Sequence, residues 1–282
     1  MSRILVGVDG SKVAAAALSW AAGLAGPLDA RLVVATAWVP SQIEMPPEFA
    51  RAERDELGRT LDDEWCGPAR DAGVVFDSEV LGGEPPDALL DAADRHDAVL
   101  LVVGTRGAGG FAGLRLGSVA DYVAHRTTRP LAVIPADAGL FRGVRRIVLG
   151  IDGAEDSLWP VGFCGLLAQR LRAEVVAVNA FRPPVEWVAE NDPGSWHTET
   201  MRLLEGRWTD PLRQVGVRVR GRIEENNHAA EALLAAAEDE DAELIVVGTR
   251  SLSGWRMLRL GGVTMQLLHH SDRAVVIVPP PA

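Results

Sequence analysis

"RILVGVDG", Arg3 to Gly10, returns later in the chain as "RIVLGIDG", Arg146 to Gly153. Each copy is a short apolar, largely β-branched run that ends in Asp-Gly, the pattern of a buried strand running into a turn. The match extends outward. "RLVVATAW" from Arg31 returns as "EVVAVNAF" from Glu174, "LLVVGTR" from Leu100 as "LIVVGTR" from Leu244, and "RPLAVIP" from Arg129 as "RAVVIVP" from Arg273. The copies stay 143 to 144 residues apart, so a whole domain has been duplicated, in contrast to a solenoid of short period. A chain of 282 residues has room for two such domains at roughly 150 residues each. We place them at 1–138 and 144–282, joined through "ADAGLFRGVR" at 136–145.

Within each half, short β-branched runs alternate with Ala- and Leu-rich segments of helical period, the order of consecutive βα units around a mainly parallel sheet. In the first half the pattern predicts strands near 3–8, 31–38, 74–81, 98–103 and 130–135, and helices near 11–25, 47–72, 85–96 and 117–126. In the second half it predicts strands near 146–151, 174–181, 216–223, 242–248 and 273–278. The strands are apolar almost throughout, as expected when helices cover both faces of the sheet.

Composition narrows the function classes. Apolar content of 48% with 24% charged residues is that of a globular protein. A net charge of −11 disfavours nonspecific binding to nucleic acid or anionic membranes. No stretch approaches 18 apolar residues, and the first strand follows the N-terminus without a long apolar segment or a cleavage site, so a cytoplasmic location is expected. Cys66 and Cys164 lie in different halves without CxxC or Cys/His ligand spacing and read as buried packing residues. The six histidines form no metal spacing, and "EDEDAE", Glu238 to Glu243, reads as a solvated helix end. The segment "RPPVEWVAENDPGSWHT", 182–198, reads either as a lid or as a Pro-rich connector whose Trp187 and Trp196 bury surface.

The residues that carry chemistry follow the fourth strand. In "VVGTRGAGGFAGLRLGSVAD" the strand ends at Gly104, glycines follow at 107, 109, 110 and 113, and a helix starts around Gly117-Ser118. In an open parallel sheet ligands bind beyond the carboxyl ends of the strands, and loops leading into helix N-termini suit phosphate. Gly104 and Gly107 permit positive φ and close approach of the backbone, and Ser118 reads as an N-cap or as a phosphate donor. No GxxxxGK[ST] is present, and "GAGGFA" at 107–112 follows the wrong strand for a dinucleotide fingerprint.

The spacing Gly104-xx-Gly107, nine residues, Gly117-Ser118 is similar to the nucleotide loop of the universal stress protein family, and "VGVDGS" at 6–11 resembles its opening strand and acidic turn. The resemblance spans essentially the whole chain as two tandem domains. It implies two α/β flavodoxin-like (Rossmann-like) domains of five strands each that bind ATP. Carried over by position, it implies that Gly104, Gly107, Gly117, Ser118 and Val119 surround ribose and phosphates, that Asp9 lies near the ribose or a phosphate-bound Mg²⁺, and that Ala37 offers backbone to the adenine. Asp9 also reads as a cap for the following helix. Pairing through "LAVIP" and "AVVIVPP" is implied too, between the two domains or in a homodimer.

The second half departs from the pattern. Asp152, Gly248, Gly261 and Val263 remain, but Ser251 and Gly262 stand where Gly and Ser belong. Positive φ at Ser251 would cost roughly 1–2 kcal/mol and the missing hydroxyl roughly 1.5–3 more. A weak second nucleotide site or a relic is expected. No acid, base or nucleophile constellation is visible beyond what slow ATP turnover would need. The reading is an ATP-binding regulator of a stress response with an unidentified protein partner. The alternatives are an interaction module without nucleotide and a slow ATPase.

Overall fold

The computed structural model describes residues 1–40, 46–108, 115–138, 141–153, 158–180, 193–225, 228–249 and 260–280. The chain divides into two compact units, Met1–Arg142 with Leu268–Ala274 and Gly143–Leu267 with Val275–Ala282. No helix among the described residues is long and apolar enough to cross a membrane.

Unit 1 is a parallel sheet of β1 (Ser2–Gly7), β2 (Ala30–Trp38), β3 (Phe76–Gly82), β4 (Leu100–Gly104) and β5 (Leu131–Ile134) in the order β3-β2-β1-β4-β5. This is the Rossmann order and corrects the flavodoxin-like order, in which the third strand would lie beside the first. The string of elements is the same in both; only the crossover after β3, which carries the chain past β2 and β1, separates them. The α/β class and the Rossmann-like layering stand as expected.

Helix α1 (Lys12–Ala25) starts because the Ser11 hydroxyl accepts the Ala14 N–H at 3.1 Å, and it buries an Ala/Leu stripe that includes Leu18, Ala21 and Leu24. Helix α4 (Pro85–Arg95) opens on two prolines, whose fixed φ suits the first turn. These two helices cover opposite faces of the sheet. A Cβ on Gly7 would meet Leu89 of α4, whereas one on Gly104 would meet Val13 of α1. Since Val6 is in register with Val102, Gly7 shares a face with Val103, and Gly104 lies on the opposite face. The core between is aliphatic, with Ile4, Leu5, Leu100, Leu101 and Leu131 fully buried.

The single helix expected over 47–72 is broken. It comprises α2 (Pro47–Thr60), a π-helical turn at Leu61–Trp65 closed by the Cys66 N–H on the Leu61 carbonyl at 3.0 Å, and α3 (Gly67–Asp71). Pro68 explains the break, because its ring and missing N–H cannot continue a helix through Glu64. The turn buries Cys66, whose thiol burial, helped by the Asp62 carboxylate, pushes up to about 11. It also lays the Trp65 indole on Gly10, at φ +78°, where a Cβ would fall 2.6 Å from the ring.

Unit 2 repeats the plan, with β6 (Arg146–Gly150), β7 (Glu174–Ala180), β8 (Val219–Glu224), β9 (Leu244–Gly248) and β10 (Ala274–Val278) in the order β10-β9-β6-β7-β8. Its helices are α6 (Leu158–Leu171), α7 (Pro193–Glu205), α8 (Asp210–Gln214), α9 (Ala229–Asp239) and α10 (Gly262–His270). The indole contact is repeated as well: Gly153, at φ +80°, would place a Cβ 2.5 Å from Trp208. Of the 182–198 segment, residues 182–192 with Trp187 lie outside the described residues, while Trp196 is buried on α7.

Glu238 to Glu243 is not simply a solvated helix end. Glu240 takes Arg220 and Arg222 in ion pairs, and Glu243 accepts the N–H groups of Arg145 and Arg146 at 3.0 and 2.9 Å. Burial alone would raise the Glu243 carboxyl, but these bonds outweigh it and hold it below the usual carboxylate range.

The Trp65–Gly10 contact generates a first prediction. Gly10→Ala incurs about 1–2 kcal/mol from the left-handed φ and a further loss from displacing the indole. In a Trp65→Ala background the same substitution incurs only the first part. A double-mutant cycle by denaturant unfolding measures the difference.

Candidate functional site

Where β1 and β4 lie side by side, the connections leaving them diverge to opposite faces, α1 on one and α5 (Ser118–Arg126), packed against α4, on the other. A cavity of about 280 Å³ opens in the crevice beyond their carboxyl ends. It is lined from β1 and its turn by Gly7, Val8 and Asp9, from β2 by Ala35, Thr36 and Ala37, and from β4 and its loop by Val103 to Gly107. Gly117 to Ala120 close it from α5, Ala14 from α1, and Pro85 and Leu89 from α4. All seven residues singled out in the first half, Asp9, Ala37, Gly104, Gly107, Gly117, Ser118 and Val119, border this one cavity. Gly109, Gly110 and Gly113 lie outside the described residues.

Asp9 ties the two loops of the site together. Its Oδ1 accepts the Ser11 N–H at 3.1 Å and its Oδ2 accepts the Ala108 N–H at 2.6 Å. The helix cap itself is Ser11. Gly107 is required by this arrangement for room, since a Cβ there would collide with Asp9 Oδ2; neither Gly104 nor Gly107 has the positive φ expected of them. The base of the loop is closed by the Gly117 N–H on the Thr105 carbonyl at 2.7 Å, and Thr105 is itself fixed by its N–H on Ile134.

Helix α5 presents an uncapped N-terminus to the cavity. Its N-cap is Gly117, with Ser118 the first helical residue, and no side chain caps it. The first intrahelical bond runs from the Asp121 N–H to the Gly117 carbonyl, so the amides of Ser118, Val119 and Ala120 have no helical partner. All three residues line the cavity. Beside them stands Arg106, half-buried, the one basic side chain of the lining, which makes no ion pair among the described residues. Three amides at the positive end of a helix dipole and a guanidinium without a carboxylate partner can hold an anion. Away from that end the lining is Val8, Ala35, Thr36, Ala37 and Leu89, a mostly apolar surface with one hydroxyl. Sequence reasoning missed Arg106 and Thr36. The signal was present: Arg106 lies between the first two glycines of the loop, and Thr36 adjoins Ala37 at the end of β2.

In unit 2, Gly248 ends β9 with its Cβ position against Pro160 at 3.2 Å, Gly261 precedes α10, Val263 is in its first turn, and Asp152 is exposed after β6. The Met265 N–H on Gly261 repeats the Asp121 bond on Gly117. Gly262 provides no hydroxyl where unit 1 has Ser118. Ser251 lies outside the described residues; at its counterpart in unit 1, Gly107, it is Asp9 Oδ2 and not φ that excludes a side chain. Among the described residues no group of three His, Cys, Asp or Glu could hold a metal ion.

The Asp9 bridge is testable. Asp9→Ala and Gly107→Ala each lose about 1.5–3 kcal/mol of local stability, the worth of a hydrogen bond to a charged group. Hydrogen exchange of the Ala108 amide accelerates in both. Because both act through one contact, the double variant exchanges no faster than the single ones.

Comparison with known proteins follows the duplication. The model of the universal stress protein family matches residues 1–135 and again residues 143–279. A universal stress protein of Mycolicibacterium smegmatis is 27% identical over 98% of this chain and 97% of its own. One of Mycobacterium tuberculosis is 25% identical over 92% of this chain and 90% of its own. The crystal structure of a universal stress protein from Archaeoglobus fulgidus shares the fold, with a TM-score of 0.74 at 16% identity and 98% of each chain covered. With both halves matched from end to end, the chain belongs to the universal stress protein family and carries two copies of its domain in tandem.

Proposed function

We propose that unit 1 binds an adenine nucleotide, ATP, and that occupancy of the site is the signal of a stress-response regulator. The observation that carries the reading is the meeting, on one cavity, of the uncapped α5 amides with the Arg106 guanidinium, which makes no ion pair among the described residues. Phosphates lie on the amides of Ser118, Val119 and Ala120 with Arg106 beside them. Ribose lies along Gly104 and Gly117, and the base lies toward Thr36 and Ala37, over Leu89. The apolar end of the lining suits a planar base, and the carboxyl-end crevice of a parallel sheet is where such ligands sit.

Asp9 would repel a bare phosphate. Each of its carboxylate oxygens keeps a lone pair after accepting from Ser11 and Ala108, so Mg²⁺ carried by the phosphates fits beside it and would neutralise the charge between them. Asp9 then has two duties: it shapes the glycine loop and faces the metal. Binding stabilises the unit by mass action, about 2.7 kcal/mol at a hundredfold excess of ligand over Kd. That free energy is available to favour one conformational or oligomeric arrangement that a partner reads. Slow hydrolysis is not needed for this role.

Equilibrium dialysis with ATP-Mg²⁺ tests the reading. The chain binds ATP, and Arg106→Ala weakens ATP roughly 10- to 150-fold, the worth of about 1.5–3 kcal/mol for a charge-assisted contact, while adenosine changes less than threefold. Absence of ATP binding, or equal effects on ATP and adenosine, refutes the placement of the phosphates.

A further inference from the structure

The exposed apolar side chains of unit 2 are not scattered. Among the described residues, the large ones exposed in this unit are Trp159, Leu166 and Val215, each 42–48% exposed. Trp159 and Leu166 stand two helical turns apart on α6 and so share one face. Gly162, also exposed, and the half-buried Phe163 lie between them. Val215 adjoins the same helix: a Cβ on Gly165 would lie 3.7 Å from Val215 Cγ2, and Gln169 Nε2 donates to the Val215 carbonyl at 2.9 Å. A contiguous apolar face marks an interaction surface, which single exposed side chains do not.

The sister unit shows how such a face is closed. Counted from the Asp-Gly turns, Ser19 and Gly23 of α1 stand where Gly162 and Leu166 stand on α6. There the ring of Phe141, in the chain after β5, lies on Gly23 and leaves no room for a Cβ, while the Phe141 N–H reaches Ser19 Oγ at 3.5 Å. In unit 2 the small residue has moved one turn, to Gly162, and no atom lies within 4 Å of its Cβ position. A glycine seat that takes an aromatic ring in one unit is open in the other.

The open face is complementary to itself. Trp159 and Leu166 are equally far from the midpoint between Gly162 and Phe163. A two-fold axis through that midpoint therefore pairs Trp159 of one copy with Leu166 of the other, and seats the Phe163 ring of each on the other's Gly162. Lack of a Cβ at Gly162 lets the two helices approach closely. Charge selects the direction. The sequence entering α6 carries Asp152, Glu155 and Asp156, and the sequence leaving it carries Arg170 and Arg172. An antiparallel pair brings these opposite ends together, whereas a parallel pair would set like charges side by side. We propose that two copies of the chain associate through α6, antiparallel about Gly162 and Phe163. The surface is separate from the last strands β5 and β10, and the inference does not depend on nucleotide.

Sedimentation equilibrium of the full chain over a wide range of concentration tests it. Leu166→Glu, at an exposed position that leaves the helix intact by circular dichroism, weakens one step of association at least about tenfold. Salt weakens association of the unaltered chain and strengthens that of Arg170→Glu, because the charges at the helix ends then repel. Direction is read by disulfides, since Cys66 and Cys164 are both buried. Under mild oxidation a mixture of Trp159→Cys and Leu166→Cys chains gives the mixed dimer, and each variant alone does not cross-link to itself. A monomer at every concentration overturns the proposal and leaves the face to a different protein. Association indifferent to Leu166→Glu overturns it too, placing the contact elsewhere, and self-linked Trp159→Cys refutes the antiparallel register.

Discussion

The adjacency of β1 and β4 is the constraint on which the site of unit 1 depends. Both strands run the same way, yet their connections leave to opposite faces, so no loop can cover the seam between their ends. The crevice is a topological necessity and not a product of particular side chains. What side chains decide is how the crevice is dressed. Gly7 and Gly104 admit Leu89 and Val13 from the two helix layers, which brings both helices close to the sheet just below the opening.

Asp9 occupies an unusual place in this economy of charge. An anionic site would seem to gain by losing a carboxylate, yet here the carboxylate holds the Ala108 amide and thereby the path of the loop. Its charge is spread over two N–H donors, and Arg106 stands on the same cavity with no acidic partner among the described residues. The tie explains why Gly107 must be glycine although its backbone is unstrained. It also separates two kinds of conserved architecture within the duplication. The indole contacts Trp65–Gly10 and Trp208–Gly153 are present in both units, whereas the hydroxyl at Ser118 is present in one. Packing that sets the Asp-Gly turn has been kept, and so has the open first turn of the helix after the loop, while the hydroxyl at its start has not.

Much of unit 1 was legible in the sequence because the signals are local. Apolar runs ending in Asp-Gly or Gly-Thr mark strand ends, and loops at the ends of neighbouring parallel strands converge whichever lateral order the strands take. For that reason Asp9, Ala37 and the Gly104 to Val119 set border one cavity even though the strand order had been expected to be flavodoxin-like. Lateral order itself is not written in periodicity, since a crossover that passes over two strands uses the same residues as one that passes over none. The break of the helix at 61–66 was legible in Pro68 and was overridden by an uninterrupted helical pattern around it. The positive φ expected at Gly104 and Gly107 failed for a different reason: sequence reports that a Cβ is missing, but not whether the backbone or a neighbour demands it.

Arg106 illustrates the residue type that single-sequence reading passes over. In the spacing that defines the loop it is one of the unspecified positions, and a lone arginine on a chain with 28 basic residues attracts no notice. Its significance comes from what is absent around it among the described residues, an ion-pair partner, where Arg31, Arg129 and Arg222 all find carboxylates. On an acidic protein rich in paired charges, a guanidinium left without a carboxylate among the described residues, on a cavity beside open helix amides, marks a place where an anion from outside the chain can bind.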